Sequence, residues 1–149
     1  MIVDLVRNDL GRVCRPGSVR VAEHRQLMPL ESVWHTYSRV CGRLPEGTGV
    51  SAVLRATFPP GSITGAPKIQ AMSRAVEEER VRRGPAMGAV GWFDVGGDLE
   101  LSVAIRTAVA DRTRVVYHAG CGIVADSIAA QERRESEVKA DAFLRAFES

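Results

Sequence analysis

Residues 58–68 read FPPGSITGAPK and run directly into IQAMSRAVEEERVRR over 69–83. The first stretch is dense in proline and glycine, and the second has the spacing of an amphipathic helix expected to end at Arg82 or Arg83. Gly61 and Gly65 let backbone approach a ligand closely, Thr64 or Gly65 can cap the helix, and Pro67 suits its first turn. Free N–H groups at such an entry favour a carboxylate or phosphate. The loop is not a Walker A loop, because three residues separate Gly61 from Gly65 and Ile69 follows Lys68. A plain capped helix entry is the competing reading, and the local pattern alone favours it.

The elements around this loop are punctuated by turn residues. MIVDLVRNDLGR (1–12) places Ile2, Leu5, Val6 and Leu10 on one helical face and stops at Gly11, a C-terminal cap. Nothing before Ile2 caps its start, so the chain either begins inside a helix or has an ordinary frayed end, the reading this feature alone favours. GSVRVAE (17–23) and SVWHTYSRVCGRL (32–44) read as strands after an RPGS turn, and GVSAVLRATF (49–58) as a short helix. MGAVGWFDV, a GGD turn, LELSVAIRTAVA and RVVYHAGCGIV suggest an antiparallel meander over 87–124. A last helix is expected from about Ser127 to Phe147, with Asp126 or Ser127 as N-cap and Val138, Ala142, Phe143 and Ala146 as its apolar stripe. Helices mixed with sequential hairpins argue for an α+β fold with antiparallel sheets flanked by helices.

Composition narrows the function classes. The 149 residues are 45% apolar and 26% charged, which suits one globular domain. No long apolar run, signal peptide or lipidation motif is present, so no membrane role and a cytoplasmic location are expected. Cys14, Cys41 and Cys121 lack disulfide or zinc spacing and read as reduced thiols. Twenty basic against 18 acidic residues, without a basic stripe interleaved with aromatics, gives no indication of nucleic acid.

On the last helix Glu132, Glu135 and Lys139 fall within an arc of roughly 60° at about 100° per residue. Such a face can hold a hard divalent cation through its carboxylates while the lysine meets an anion, although Glu135 and Lys139 also make an ordinary i,i+4 surface pair, the commoner case. His35 lies in an expected strand, where a satisfied core or edge histidine is the more frequent reading. Arg106, within SVAIRTAV, must be paired if it is buried, and a bidentate carboxylate is its usual partner.

Four motifs then coincide. MIVDLVRNDLGRV, FPPGSITGAPKIQAM, GAVGWFDVGGDLELSVAIRT and AGCGIVADSIAAQERRESEVKA follow the order and spacing of the C-terminal half of the chorismate-utilising enzymes, anthranilate synthase component I and aminodeoxychorismate synthase component I. The resemblance covers essentially the whole chain and implies that the 58–68 loop closes over chorismate, a ring-carrying dianion. It implies further that Glu132 and Glu135 are magnesium carboxylates, that Arg106 grips the enolpyruvyl carboxylate, and that Lys139 faces the ring carboxylate. Backbone groups of Ala119, Gly120 and Gly122 and the Ser62 hydroxyl match substrate contacts, and His35 matches a histidine near the departing 4-hydroxyl. Ala86, Trp92 and Cys121 depart from the family pattern around the enolpyruvyl arm.

The resemblance also implies an upstream half, with a further magnesium glutamate three residues before the position of Met1. The reading frame is therefore expected to extend upstream, and the 149-residue chain alone to lack synthase activity. GSITGAPK resembles the aminodeoxychorismate branch more than the anthranilate branch. The implied reaction is amination of chorismate at C4 with ammonia from a glutaminase partner. The alternatives are anthranilate synthase, with amination at C2 and loss of pyruvate, and a catalytically incompetent fragment that only binds a ligand or partner.

Overall fold

The structure is a computed structural model of the chain, and it describes residues 1–30 and 34–146. Ser32 and Val33, at the expected start of the second strand, and Phe147, the expected end of the last helix, lie outside the described residues, as does the side chain of Ala142. Two compact units follow one another along the chain, Met1–Ala75 and Val76–Ser149.

In the first unit, helix α1 (Ile2–Gly11) packs on both strands of a hairpin and on two short helices. Leu5, Val6 and Leu10 are half-buried as the apolar face requires, whereas Ile2 is exposed. Gly11 is the last helical residue and Arg12, in right-handed conformation, is the cap, so the expected glycine cap is displaced by one position. Strands β1 (Arg20–Pro29) and β2 (Trp34–Cys41) pair antiparallel, with register shifts between Val21 and Glu23 and between Glu23 and Gln26. Arg25 takes a left-handed backbone (φ 51°) at the second shift and donates its N–H to Ser38 Oγ at 3.1 Å. The RPGS turn is tied to the end of β2 through Ser18, whose hydroxyl donates to Arg15 O (2.7 Å) and accepts from Arg43 N (3.1 Å).

Helices α2 (Val50–Thr57), α3 (Gly61–Thr64) and α4 (Lys68–Glu78) follow. The helix expected to reach Arg82 or Arg83 thus stops at Glu78. Glu77, Glu78 and Glu79 crowd its C-terminal end, where the helix dipole is negative and carboxylates are unfavourable. Arg83 instead folds back on Glu79, with Nε 2.8 Å from Oε2, and this bond first of all holds the Glu79 carboxyl below its usual range.

The second unit contains two separate hairpins and a long helix rather than a continuous meander. Strands β3 (Ala89–Phe93) and β4 (Leu99–Val103) are joined by a turn in which Asp94 Oδ1 accepts the N–H of Asp98 at 2.9 Å. The expected single strand over 99–110 breaks after Val103. Ala104 completes the pairing, donating to Gly88 O (2.9 Å) and accepting from Met87 N (2.8 Å), and Arg106, with φ 50°, turns the chain away. Strands β5 (Ala108–Ala110) and β6 (Val115–Tyr117) then form a short hairpin, and 118–128 has no regular structure, where a longer strand was expected.

Helix α5 (Ala129–Arg145) starts later than expected: its N-cap is Ile128, whose hydrocarbon side chain cannot cap, and the Ser127 hydroxyl instead donates to Glu132 Oε1. Val138, placed in the apolar stripe by spacing, is 66% exposed, whereas Phe143 stacks on Tyr117 with centroids 4.2 Å apart. The architecture is α+β, as expected.

Among the described residues the buried apolar positions are small, Cys14, Ala56, Ala86 and Ala104, and no large side chain is fully buried. The three cysteines are free, and among the described residues no helix is long and apolar enough to cross a membrane.

The β3–β4 pairing depends on one glycine. A Cβ on Gly91 would lie 1.8 Å from Glu100 O, inside any contact distance and against backbone that cannot rotate away. Gly91→Ala is expected to cost about 2 kcal/mol or more and to raise amide hydrogen exchange across 89–103 while residues 1–75 keep their pattern. Wild-type protection over 89–103 would show that the strands do not approach this closely.

Candidate functional site

The loop that opens the sequence argument lies in the first unit. Phe58 and Pro60 are extended and lead into the single turn of α3. The Gly61 N–H is donated to Asp9 Oδ2 of α1 at 2.9 Å, and Gly65 ends the turn by donating to Gly61 O at 2.9 Å. Gly65 sits at φ 115° and ψ −178°, a conformation restricted to glycine. It closes α3 rather than capping α4, and the Thr64 hydroxyl donates to Pro60 O at 3.0 Å inside the same turn. Neither therefore caps α4, whose first bond runs from Ala71 N to Pro67 O at 2.9 Å.

Lys68, the first residue of α4, reaches back under the loop. Its Nζ lies 2.7 Å from Asp9 Oδ1 and donates to Ala56 O at 3.3 Å. Ser62 is half-buried, and its hydroxyl makes no hydrogen bond with other described residues. His35 is exposed on β2 opposite Met28 and likewise has no hydrogen-bond partner among the described residues.

The other predicted residues lie in the second unit, where α5 organises the irregular segment 118–128. Lys139 Nζ lies 2.6 Å from Glu135 Oε1 and donates to Gly120 O at 3.1 Å, which fixes the backbone around Ala119–Gly122 against the helix. Glu132 fixes the flanks: its Oε1 accepts from the Ser127 hydroxyl at 2.6 Å, and its carbonyl oxygen accepts from Cys121 Sγ at 3.3 Å. Ser127 in turn accepts the Val124 N–H at 3.0 Å. Ala119, Gly120 and Gly122 are exposed, and a Cβ at either glycine would meet nothing within 4 Å, so the backbone is open on its outer side.

The electrostatics keep the carboxylate ionised and the thiol neutral. Cys121, then the Ser127 hydroxyl, and more weakly the Lys139 ammonium hold the Glu132 carboxyl below its usual range. Interaction with the Glu132 carboxylate, then burial and the charges of Glu132 and Glu135, raise the Cys121 thiol above its usual range.

Arg106 differs from the expectation of a buried, paired strand residue. It lies past the end of β4, exposed, in left-handed conformation, and its guanidinium has no partner among the described residues. The planar fork is open to an external carboxylate.

No group of three or more His, Cys, Asp or Glu side chains is placed to hold a metal among the described residues. Glu132 and Glu135 nevertheless suit a hard divalent cation. They sit one turn apart, and Oε1 of each is already engaged, by Ser127 and Lys139 respectively. Magnesium commonly takes only one or two protein carboxylates and fills its shell with water and ligand oxygens.

Asp9 was not singled out by the sequence reading, although a signal was there. It lies four residues after Leu5 and three after Val6, on the apolar face of α1, where a carboxylate must find a partner.

Comparison with known proteins bears on the family and the fold. A family model described as chorismate binding enzyme matches residues 1–145. The chain is 45% identical to anthranilate synthase component 1 of Aquifex aeolicus (strain VF5) over 148 residues, covering 99% of this chain and 30% of that protein. It is 44% identical to aminodeoxychorismate synthase component 1 of Bacillus subtilis (strain 168), covering 99% of this chain and 32% of that protein. The crystal structure of anthranilate synthase component I from Streptococcus pneumoniae TIGR4 superposes with a TM-score of 0.85 at 42% identity, over 95% of this chain and 32% of that one. The chain thus spans about a third of the length of these relatives. With a family model over nearly every residue and the same fold in a solved relative, the chain belongs to the chorismate binding enzymes.

Proposed function

We propose that this chain is the portion of a chorismate-utilising synthase that carries the α5 carboxylates and the Arg106 fork, and that the protein aminates chorismate at C4 with ammonia from a glutaminase partner. The observation that carries the reading is Lys139, held between Glu135 and the Gly120 carbonyl at 2.6 and 3.1 Å beside an open backbone segment. An ammonium in that position can meet a ring carboxylate without searching for its rotamer, so orientation is prepared before the ligand arrives. Arg106 supplies an unengaged guanidinium for the second carboxylate of a dianion. Ser62 and His35 keep, as proposals, the hydroxyl contact and the place near the departing 4-hydroxyl that the family resemblance gives them.

Magnesium, held by Glu132 and Glu135, would supply Lewis-acid polarisation of the ring carboxylate. Around that position Ser127 fixes the Glu132 rotamer and Lys139 fixes Glu135, so both carboxylates present their remaining oxygens in a set direction.

The sequence GSITGAPK over 61–68 supports C4 amination. A second reading, anthranilate formation, draws on the 45% identity to the Aquifex protein. The native gene product, supplied with chorismate, magnesium and ammonium, separates them: C4 amination gives a product that an aminodeoxychorismate lyase converts to p-aminobenzoate, whereas C2 amination gives fluorescent anthranilate directly. Anthranilate as the sole product would replace the first reading by the second.

Glu135→Gln keeps the side-chain volume and removes its charge. It is expected to lower magnesium-dependent turnover by about 100-fold or more with little change in melting temperature, since the residue is exposed. Turnover within twofold of wild type would remove Glu135 from the metal site. Arg106→Lys keeps the charge and loses the fork, and is expected to raise the chorismate KM about tenfold, the equivalent of one charge-assisted hydrogen bond. An unchanged KM would make this arginine structural.

A further inference from the structure

Asp9 is the buried charged residue of the described chain, at 5% exposure, and both of its oxygens are engaged. One accepts the Gly61 N–H at the start of the loop, and the other binds Lys68 at its end, at 2.9 and 2.7 Å. Lys68 Nζ also donates to Ala56 O at 3.3 Å, just before the loop begins. One carboxylate on α1 therefore ties together the end of α2, the first residue of α3 and the first residue of α4. We infer that Asp9 and Lys68 are positioning residues, a latch that holds the 61–67 loop in its ligand-ready shape and thereby places Ser62.

The energetics favour a geometric role over a purely stabilising one. Removing two charges from water is unfavourable, and an apolar pair of similar volume commonly serves stability as well or better. What an apolar pair cannot do is accept the Gly61 N–H and fix both loop ends to one point. Between those ends Gly65 holds a glycine-only conformation, and a Cβ there would meet Ala71 Cβ at 3.0 Å, so the span has little slack. Ser62 follows the clamped Gly61 N–H directly, and among the described residues its hydroxyl has no partner to orient it. If the latch opens, the binding-competent loop becomes one state among several, and apparent affinity falls by the fraction that remains competent while the chemical step, once ligand is bound, is unchanged.

The inference rests on the proposed role of Ser62 as a ligand contact, and two readouts keep it separable from that role. In the native gene product, Asp9→Asn/Lys68→Met removes both charges together and avoids leaving either one buried alone. The double variant is expected to fold with a melting temperature close to wild type, to exchange the amides of 61–66 about tenfold faster, and to show a chorismate KM raised about tenfold with kcat at saturation within threefold of wild type. Asp9→Asn alone retains an acceptor for Gly61 and is expected to protect that amide more than Asp9→Ala does. Wild-type exchange over 61–66 in the double variant overturns the latch, as does a double variant that fails to fold, which would assign the pair to global stability. Faster loop exchange with an unchanged KM leaves the latch standing and refutes its coupling to the ligand. A parent protein that does not turn over chorismate refutes the functional reading alone, because the exchange measurement still decides the latch.

Discussion

Among the described residues small side chains fill the buried apolar positions, so packing alone cannot fix the segments that carry the candidate functional groups, and a cation shared between a carboxylate and a backbone carbonyl fixes them instead. Among the described residues the device is found in each unit. Lys68 joins Asp9 to Ala56 O, and Lys139 joins Glu135 to Gly120 O. In both cases a helical lysine reaches a segment outside its own helix and satisfies a carbonyl that no ladder would satisfy. The two differ in burial, and that difference separates their roles. Side-chain exposure is 15% and 7% for Lys68 and Asp9 but 31% and 53% for Lys139 and Glu135. Breaking the first pair leaves a buried charge without compensation, whereas the second sits where water competes and an exposed pair contributes at most about 1 kcal/mol. The first is therefore a fixed tie, and the second, on the proposed reading, exchanges partners with a ligand carboxylate or a metal.

The hairpins need such ties because two-stranded sheets are marginal by themselves. Among the described residues each sheet has two strands, and every residue of β3 is exposed. Trp92 and Phe93 are half open to solvent, and the backbone approach at Gly91 is so close that the strand pair is defined by a missing side chain as much as by the apolar ones present. In the second unit the stack of Tyr117 on Phe143, with the Tyr117 hydroxyl 3.4 Å from Lys139 O, links β6 to α5 at the level where Lys139 holds Gly120. Strand end, helix and irregular backbone thus converge on one lysine.

Much of this was readable from local chemistry. The α+β class, the hairpin around GGD, the short helix before FPPGSITGAPK and the shared face of Glu132, Glu135 and Lys139 follow from turn residues and helical spacing. The misses have physical causes. Periodicity carried α4 through to Arg83, but three successive carboxylates at the negative end of the helix stopped it at Glu78. β-propensity ran 99–110 as one strand, whereas the backbone pairing of Ala104 with Gly88 and Met87 ended the ladder there, an interaction between residues distant in sequence. Ser127 had the right chemistry for a cap, yet its hydroxyl is drawn to Glu132 five positions on. Asp9 was passed over because a charged residue within an otherwise apolar stripe is easily read as noise, when burial makes it the most constrained residue of its helix.

Arg106 shows how the backbone itself can prepare a site. A left-handed conformation costs a residue with a β-carbon about 1 kcal/mol or more, and such conformations persist only where surrounding structure imposes them. The surroundings here are Met87, also left-handed at φ 63°, and Ala104, whose N–H and C=O are both bound by the segment preceding β3. With Ala104 held, the chain two residues later must turn sharply, and the residue at the turn projects from the strand end instead of alternating with its neighbours. An arginine delivered this way has no salt bridge to break among the described residues. Lys139, in contrast, exchanges an existing carboxylate for a new one. On the proposed reading, a dianionic ligand would therefore gain its net attraction at Arg106 and its registration at Lys139, because only a cation without a prior partner adds a new ion pair on binding, while one already held in place contributes direction.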